Sequence, residues 1–320
     1  MTDTNLESIR ARTLRALAGN RAPGFHFPGY FLDLRWPRVG ERDIVQAMHA
    51  GAHCIDADGN ANPAVLGVMV DGALATAARL KIEAGARLAT VHLKLQYTGR
   101  PPTGELAAEA MLEGLYEGEA VRHAITRGVL TSDGQPVCYA GGTFLLLPAP
   151  PGVKLAPLPW QQDGASPIEP LKLRELLPAE RAVIRAADAA SRRSDEKHAF
   201  IEHFFGILPE RTAGGATCRV KIGAQIGNRV GHVQGGILLG LAEATASAAV
   251  PDHPAVSSVS AWYISPGQGK SLTVRSKIVH AGRSFAVVRT EVRNADRSLV
   301  LEAVSNHAAL ARPGEVRPTL

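Results

Sequence analysis

Residues 227–250 read GNRVGHVQGGILLGLAEATASAAV: a polar loop, two adjacent glycines, and an apolar run interrupted by a single acidic residue, Glu243. The apolar positions suit one long helix beginning near Gln234, and a helix this apolar has to be covered on most of its sides. A curved antiparallel sheet wrapped around it provides that cover. A carboxylate facing such a core costs on the order of several kcal/mol if it is ionised and unpaired, so Glu243 calls for a partner or a chemical role. A place on the helix rim, solvated or paired with an arginine, is the plainer alternative.

The stretch has a counterpart earlier in the chain. VMVDGALATAARL, residues 68–80, has the same glycine-opened apolar form as VQGGILLGLAEAT, residues 233–245. Each is followed by an alternating strand that ends near proline, and then by two long strands joined at a turn. The first of these turns is Asp133-Gly134 and the second Asp296-Arg297. Upstream, YFLDL before the first helix parallels FFGIL before the second. A repeat of this length settles the architecture before any motif is interpreted. The expected fold class is α+β, with two antiparallel sheets each wrapped around a long central helix. The expected parts are an N-terminal helical extension at 1–24, a first repeat at 25–148, a proline-rich linker with an exposed helix at 149–195, and a second repeat at 196–320.

The pattern N-x-x-G-x-x-Q-G-G at 228–236 leads into an apolar helix with an acidic residue, then into strands carrying ISPG, HAGRSFAVV and EVRNADRSLVLEA. This combination resembles the hotdog-fold thioesterases of the phenylacetate-pathway type. The resemblance covers nearly all of the second half and, more weakly, the first. It implies a double hotdog, with the dimer of that family rebuilt inside one chain and further association of such chains. It also implies hydrolysis of acyl-CoA or similar thioesters with no metal and no cofactor, coenzyme A entering only as part of the substrate. Glu243 would be the general base or nucleophile, the amides of Gly235 and Gly236 the oxyanion donors, and Asn228 and Gln234 the groups that orient carbonyl or water. Gln234 stands where the family has histidine; an amide can hydrogen-bond but cannot titrate.

Aligning Gly72 with Gly236 puts Val70 at the place of Gln234, Asp71 at that of Gly235 and Arg79 at that of Glu243. Two unlike clefts follow, because in the family each cleft takes its carboxylate from one helix and its amides from the other. One combines Glu243, with Ser257 or Ser258 nearby, and the helix start at Asp71-Gly72; the chemistry is expected there, with Asp71 as an alternative acid. The other combines Asn228, Gln234 and Gly235 with Arg79 and Thr90, and could hold an anionic ligand without turning it over. A non-catalytic acyl-CoA-binding protein and a hotdog hydratase or dehydratase are the competing readings. The hydratase is disfavoured by the missing histidine at the helix head.

Composition narrows the rest. The 320 residues are 45% hydrophobic and 20% charged, with a net charge of +5 spread along the chain, which excludes a membrane span and gives no nucleic-acid surface. The N-terminus has no secretory core, and three scattered cysteines fit neither a disulfide framework nor a zinc site, so a cytoplasmic protein is expected. Walker, dinucleotide, zincin and G-x-S-x-G motifs do not occur.

Overall fold

The computed structural model describes residues 3–21, 25–82, 86–118, 122–148, 157–161, 168–253 and 255–309. The first half contributes β1 (Arg35–Val39), β2 (Asp43–His49), helix α3 (Pro63–Arg79), β3 (Arg87–Tyr97), β4 (Glu105–Glu117), β5 (Arg122–Ser132) and β6 (Gln135–Leu147). It is preceded by α1 (Asp3–Asn20) and α2 (Phe27–Phe31). The second half contributes β7 (Glu210–Thr212), β8 (Gly215–Lys221), α6 (Gly235–Ala249), β9 (Ala255–Tyr263), β10 (Ser271–Ala281), β11 (Phe285–Asn294) and β12 (Leu299–Ala308), preceded by α4 (Pro178–Arg193) and α5 (Phe200–Phe205).

All twelve strands form one antiparallel sheet in the order β1-β2-β4-β5-β6-β3-β9-β12-β11-β10-β8-β7. The expected two sheets are therefore one, because β3 pairs with β9 from His92 opposite Trp262 to Gln96 opposite Ser258. Read outward from that seam, the two halves have the same strand order. Alternation makes the inner face: on β4, Leu106, Ala108, Ala110 and Leu112 are buried between exposed or half-buried neighbours. The β5–β6 hairpin closes through Asp133 and Gly134, both at positive φ as a two-residue turn requires.

The two long helices lie antiparallel against each other on this inner face. A Cβ on Gly236 would fall 2.0 Å from the Gly67 carbonyl carbon, and one on Gly240 would fall 2.2 Å from the Ala64 Cα. Backbone meets backbone at this crossing, so no side chain can move aside. Gly236→Ala should destabilise the fold by about 3 kcal/mol or more, read as a fall in the denaturant midpoint.

The crossing fixes how the repeats correspond, and it corrects the alignment drawn from sequence. α3 starts after the N-cap Asn62 and α6 after the N-cap Gln234, and Ala64 faces Gly240 as Val68 faces Gly236. On that register Asp71, not Arg79, is the counterpart of Glu243. The glycine-opened similarity of 68–80 and 233–245 is slipped by about two helical turns.

The first long helix starts at Pro63, ahead of the glycine-opened stretch at 68–80. YFLDL and FFGIL overlap the ends of the short helices α2 and α5, whose phenylalanines four apart (Phe27 and Phe31, Phe200 and Phe204) pack into one aromatic cluster. Helix α4, read as exposed, buries Val183, Ile184, Ala187 and Ala190 on one face. It lies against α1, and Arg10–Asp188 and Arg21–Glu180 ion pairs hold that side. All three cysteines are free and buried.

Candidate active site

Because α3 and α6 run antiparallel, the middle of each helix faces the start of the other. Asp71, 6% exposed, sits opposite the first turn of α6. Its Oδ1 accepts from the Thr90 hydroxyl at 2.9 Å and its Oδ2 from the Gln234 side-chain amide at 2.8 Å, and the Gly236 amide faces it as well. Burial raises this carboxyl to about 6, against the pull of those three donors.

Gln234 is held at both ends. Its carbonyl oxygen caps α6 by accepting from the Ile237 amide at 2.9 Å, which leaves its NH₂ to point at Asp71. The position where the resembled family has histidine is thus filled by a helix cap that also donates to the acid. Gly235 is required by space: a Cβ there would stand 2.8 Å from Asp71 Oδ2 and 3.2 Å from Thr90 Oγ1. Tyr263 fixes this turn from the sheet side, its hydroxyl donating to the Gly235 carbonyl at 2.8 Å. With the Gly236 amide on Asp71 and the Ile237 amide on Gln234, the Gly235 amide and the dipole of the α6 start lie within reach of whatever approaches Asp71.

Asp71 opens onto a cleft of about 490 Å³. Thr90, Gly72, Arg79, Asn228, Gln234 and Gly235 line the same cleft. Asn228 has its side-chain oxygen committed to its own loop, accepting from the Val230 and His232 amides at 3.0 Å each. Gly72 approaches the Gln46 side chain, whose amide donates to the Met69 carbonyl.

Glu243 is elsewhere. It is 4% exposed, accepts from the Tyr97 hydroxyl at 2.8 Å, and is not among the residues lining the Asp71 cleft. Burial raises its carboxyl to about 7. It faces the start of α3, where Pro63 stands in place of Gly235 and Ala64 in place of Gly236. Proline has no amide hydrogen, and the Ala64 amide is already taken by the Asn62 side chain at 3.0 Å. No pair of free donors awaits an oxyanion there. Ser257 is exposed and bonds to the Asn306 carbonyl, and Ser258 accepts from the Asn306 amide; neither lines the cleft.

The structure therefore gathers Asp71, Gly72, Arg79, Thr90, Asn228, Gln234 and Gly235 into one cleft, with Gly236 beside it at the helix crossing. It leaves Glu243, Ser257 and Ser258 outside. Sequence reasoning missed Tyr263, Tyr97, Arg87, Arg229 and the two residues from the linker region, Leu158 and Trp160. These last two line the cleft, and Trp160 leans on Trp36 with ring centroids 4.9 Å apart. A tryptophan in an otherwise proline-rich linker was the signal available. Among the described residues no group of three or more His, Cys, Asp or Glu could hold a metal ion, and no helix is long and apolar enough to cross a membrane.

Residues 225–309 match the sequence profile of the acyl-CoA thioesterase N-terminal domain family. The chain is similar in structure to a protein of Lactobacillus plantarum provisionally called an oleoyl thioesterase, with a TM-score of 0.54 and 14% identity over 84% of this chain and 97% of that one. It is similar to a provisionally assigned thioesterase of Novosphingobium aromaticivorans, with a TM-score of 0.52 and 15% identity over 86% and 98%. It is also similar to a hotdog-fold protein of unknown function from Alicyclobacillus acidocaldarius, with a TM-score of 0.50 and 9% identity over 87% and 97%. At these identities the likenesses show the hotdog fold. No curated protein matches the chain. The domain match supports a thioesterase enzyme, and it covers the half that brings the amides while Asp71 lies outside it.

Proposed function

We propose that the chain hydrolyses acyl thioesters, acyl-CoA among them, in the Asp71 cleft. The observation that carries this reading is a buried carboxylate set against the open first turn of a helix, with Gln234, Gly235 and Gly236 at that turn. In the reaction the thioester carbonyl oxygen points at the Gly235 amide and the positive end of the α6 dipole, which stabilise the negative charge it gains, while the Gly236 amide stays on Asp71. Asp71 takes a proton from a water as the water oxygen bonds to the carbonyl carbon. Collapse of that tetrahedral species breaks the carbon–sulfur bond; the acid is released, and the sulfur leaves as thiolate and takes up the proton that Asp71 drew from the water. Thr90 and Gln234 hold the carboxylate in one orientation throughout, and the Gln234 cap keeps the donor turn in place.

A panel of acyl-CoA thioesters followed by release of free thiol tests the reading. Turnover of at least one member supports it, and no turnover of any member overturns it. Because the base must be ionised and burial has raised it to about 6, kcat/KM should climb with pH through about 6 and flatten above, as read from a pH–rate profile.

The same reading takes the chain as a tandem pair of hotdog units at 25–148 and 196–320, with 1–24 as an N-terminal extension and 149–195 between the units. It places the protein in the cytoplasm without a metal or resident cofactor. A purely binding role is the weaker reading, because Asp71 supplies the base that such a role does not need.

A further inference from the structure

The cleft that holds Asp71 also gathers three arginines, Arg79, Arg87 and Arg229, each half-buried. Ion pairs join thirteen cation–carboxylate partners across the described residues, and none of them involves these three. Arg79 donates to the Ala86 carbonyl at 3.0 Å and Arg87 to the Pro148 carbonyl at 3.4 Å, both uncharged acceptors. Among the described residues Asp71 is the only carboxylate lining the cleft, and its oxygens are engaged by Thr90 and Gln234.

The arginines are close enough to repel one another. Burial first, and then Arg229, brings Arg79 down to about 9; burial and Arg87 lower both Arg229 and His232. His26, which lines the same cleft, is pushed down to about 3 by burial and by Arg229, so its ring stays neutral and adds no further positive charge. Like charges held together away from water destabilise the empty protein, and an opposite charge brought in by a ligand relieves them.

We propose that Arg79, Arg87 and Arg229 receive an anionic group carried by the thioester itself, either a carboxylate at the far end of the acyl chain or a phosphate of the carrier arm. Arg79 lies eight residues beyond Asp71 on the same helix, about 12 Å along its axis, so the anion and the reacting carbonyl occupy separate ends of one ligand. Planar guanidinium forks suit both carboxylate and phosphate. This rests on the hydrolytic reading of the cleft, and it narrows the acyl group to one with a second charged end only where the anion is the acyl carboxylate.

Titration calorimetry on the full chain tests it without turnover, using two probes: free coenzyme A, which has the phosphates and no acyl group, and suberate, which has paired carboxylates and no phosphate. The wild-type protein should bind at least one, and Arg87→Gln and Arg229→Gln should each weaken that binding tenfold or more. Loss confined to coenzyme A identifies the phosphate; loss confined to suberate identifies the acyl carboxylate. Each variant, freed of an unpaired charge, should melt at the same temperature as the unliganded wild type or above it. Binding of neither probe, binding unchanged in both variants, or a lowered melting temperature accompanying the loss would each overturn the proposal. A protein that binds in this way but releases no thiol from any thioester would refute hydrolysis and leave the anion receptor standing.

Discussion

Asp71→Asn should lower thioester hydrolysis by about a hundredfold or more while leaving the fold intact. Asparagine keeps the shape of the side chain and can still accept from Thr90 and Gln234 through its oxygen, but it cannot take a proton from water at neutral pH. The matching change in the other half, Glu243→Gln, should leave turnover within about tenfold of wild type, because Glu243 faces Pro63 and an amide already in use. Steady-state rates for the two variants, measured side by side, decide between the halves. A collapse in Glu243→Gln with Asp71→Asn active would place the chemistry where the sequence first suggested.

Glu243→Gln should be felt in stability instead. An acid raised by burial from 4.5 to about 7 holds its proton more tightly in the folded chain than in the unfolded one. Its contribution to folding is therefore complete below pH 4.5 and is lost as the pH climbs from 4.5 through 7. At pH 8 the wild type carries an ionised glutamate with one donor, the Tyr97 hydroxyl, whereas glutamine accepts the same bond without the charge. The variant should gain about 3 kcal/mol at pH 8 and about 1 kcal/mol at pH 5, read from denaturant midpoints at the two values. An equal gain at both would mean that the carboxyl titrates normally.

How far the sequence carried depends on which residues are asked. The apolar helices, the alternating strands and the Asp133-Gly134 turn are local patterns, so they could be read directly, and the resemblance supplied the pairing of repeats. What failed was register. Asp71-Gly72 and Gly235-Gly236 look alike along the chain, yet the glycines that matter for the crossing are Gly67 opposite Gly236 and Gly240 opposite Ala64. Close backbone approach between helices leaves no periodic signature, and a slip of two turns keeps the apolar face in phase. That slip exchanged Arg79 for Asp71, and so set Asp71 beside Glu243 when it faces the start of α6. Tyr97 and Tyr263 escaped notice for a related reason: each is one aromatic in an alternating strand, and only the folded sheet shows that their hydroxyls reach Glu243 and the Gly235 carbonyl.

The antiparallel crossing of α3 and α6 also bears on how such a chain can change over time. A single ancestral unit, paired with its own copy, has to serve as acid donor and amide donor at once, so any substitution strikes two sites together. Once the two copies are joined and free to differ, each can give up one duty. Here the first half supplies Asp71 and has Pro63 at its helix start, and the second supplies the open turn while its own acid is held by Tyr97. The division of labour is reciprocal: on the proposed reading neither half has a complete set, and giving either one independence would take changes in both.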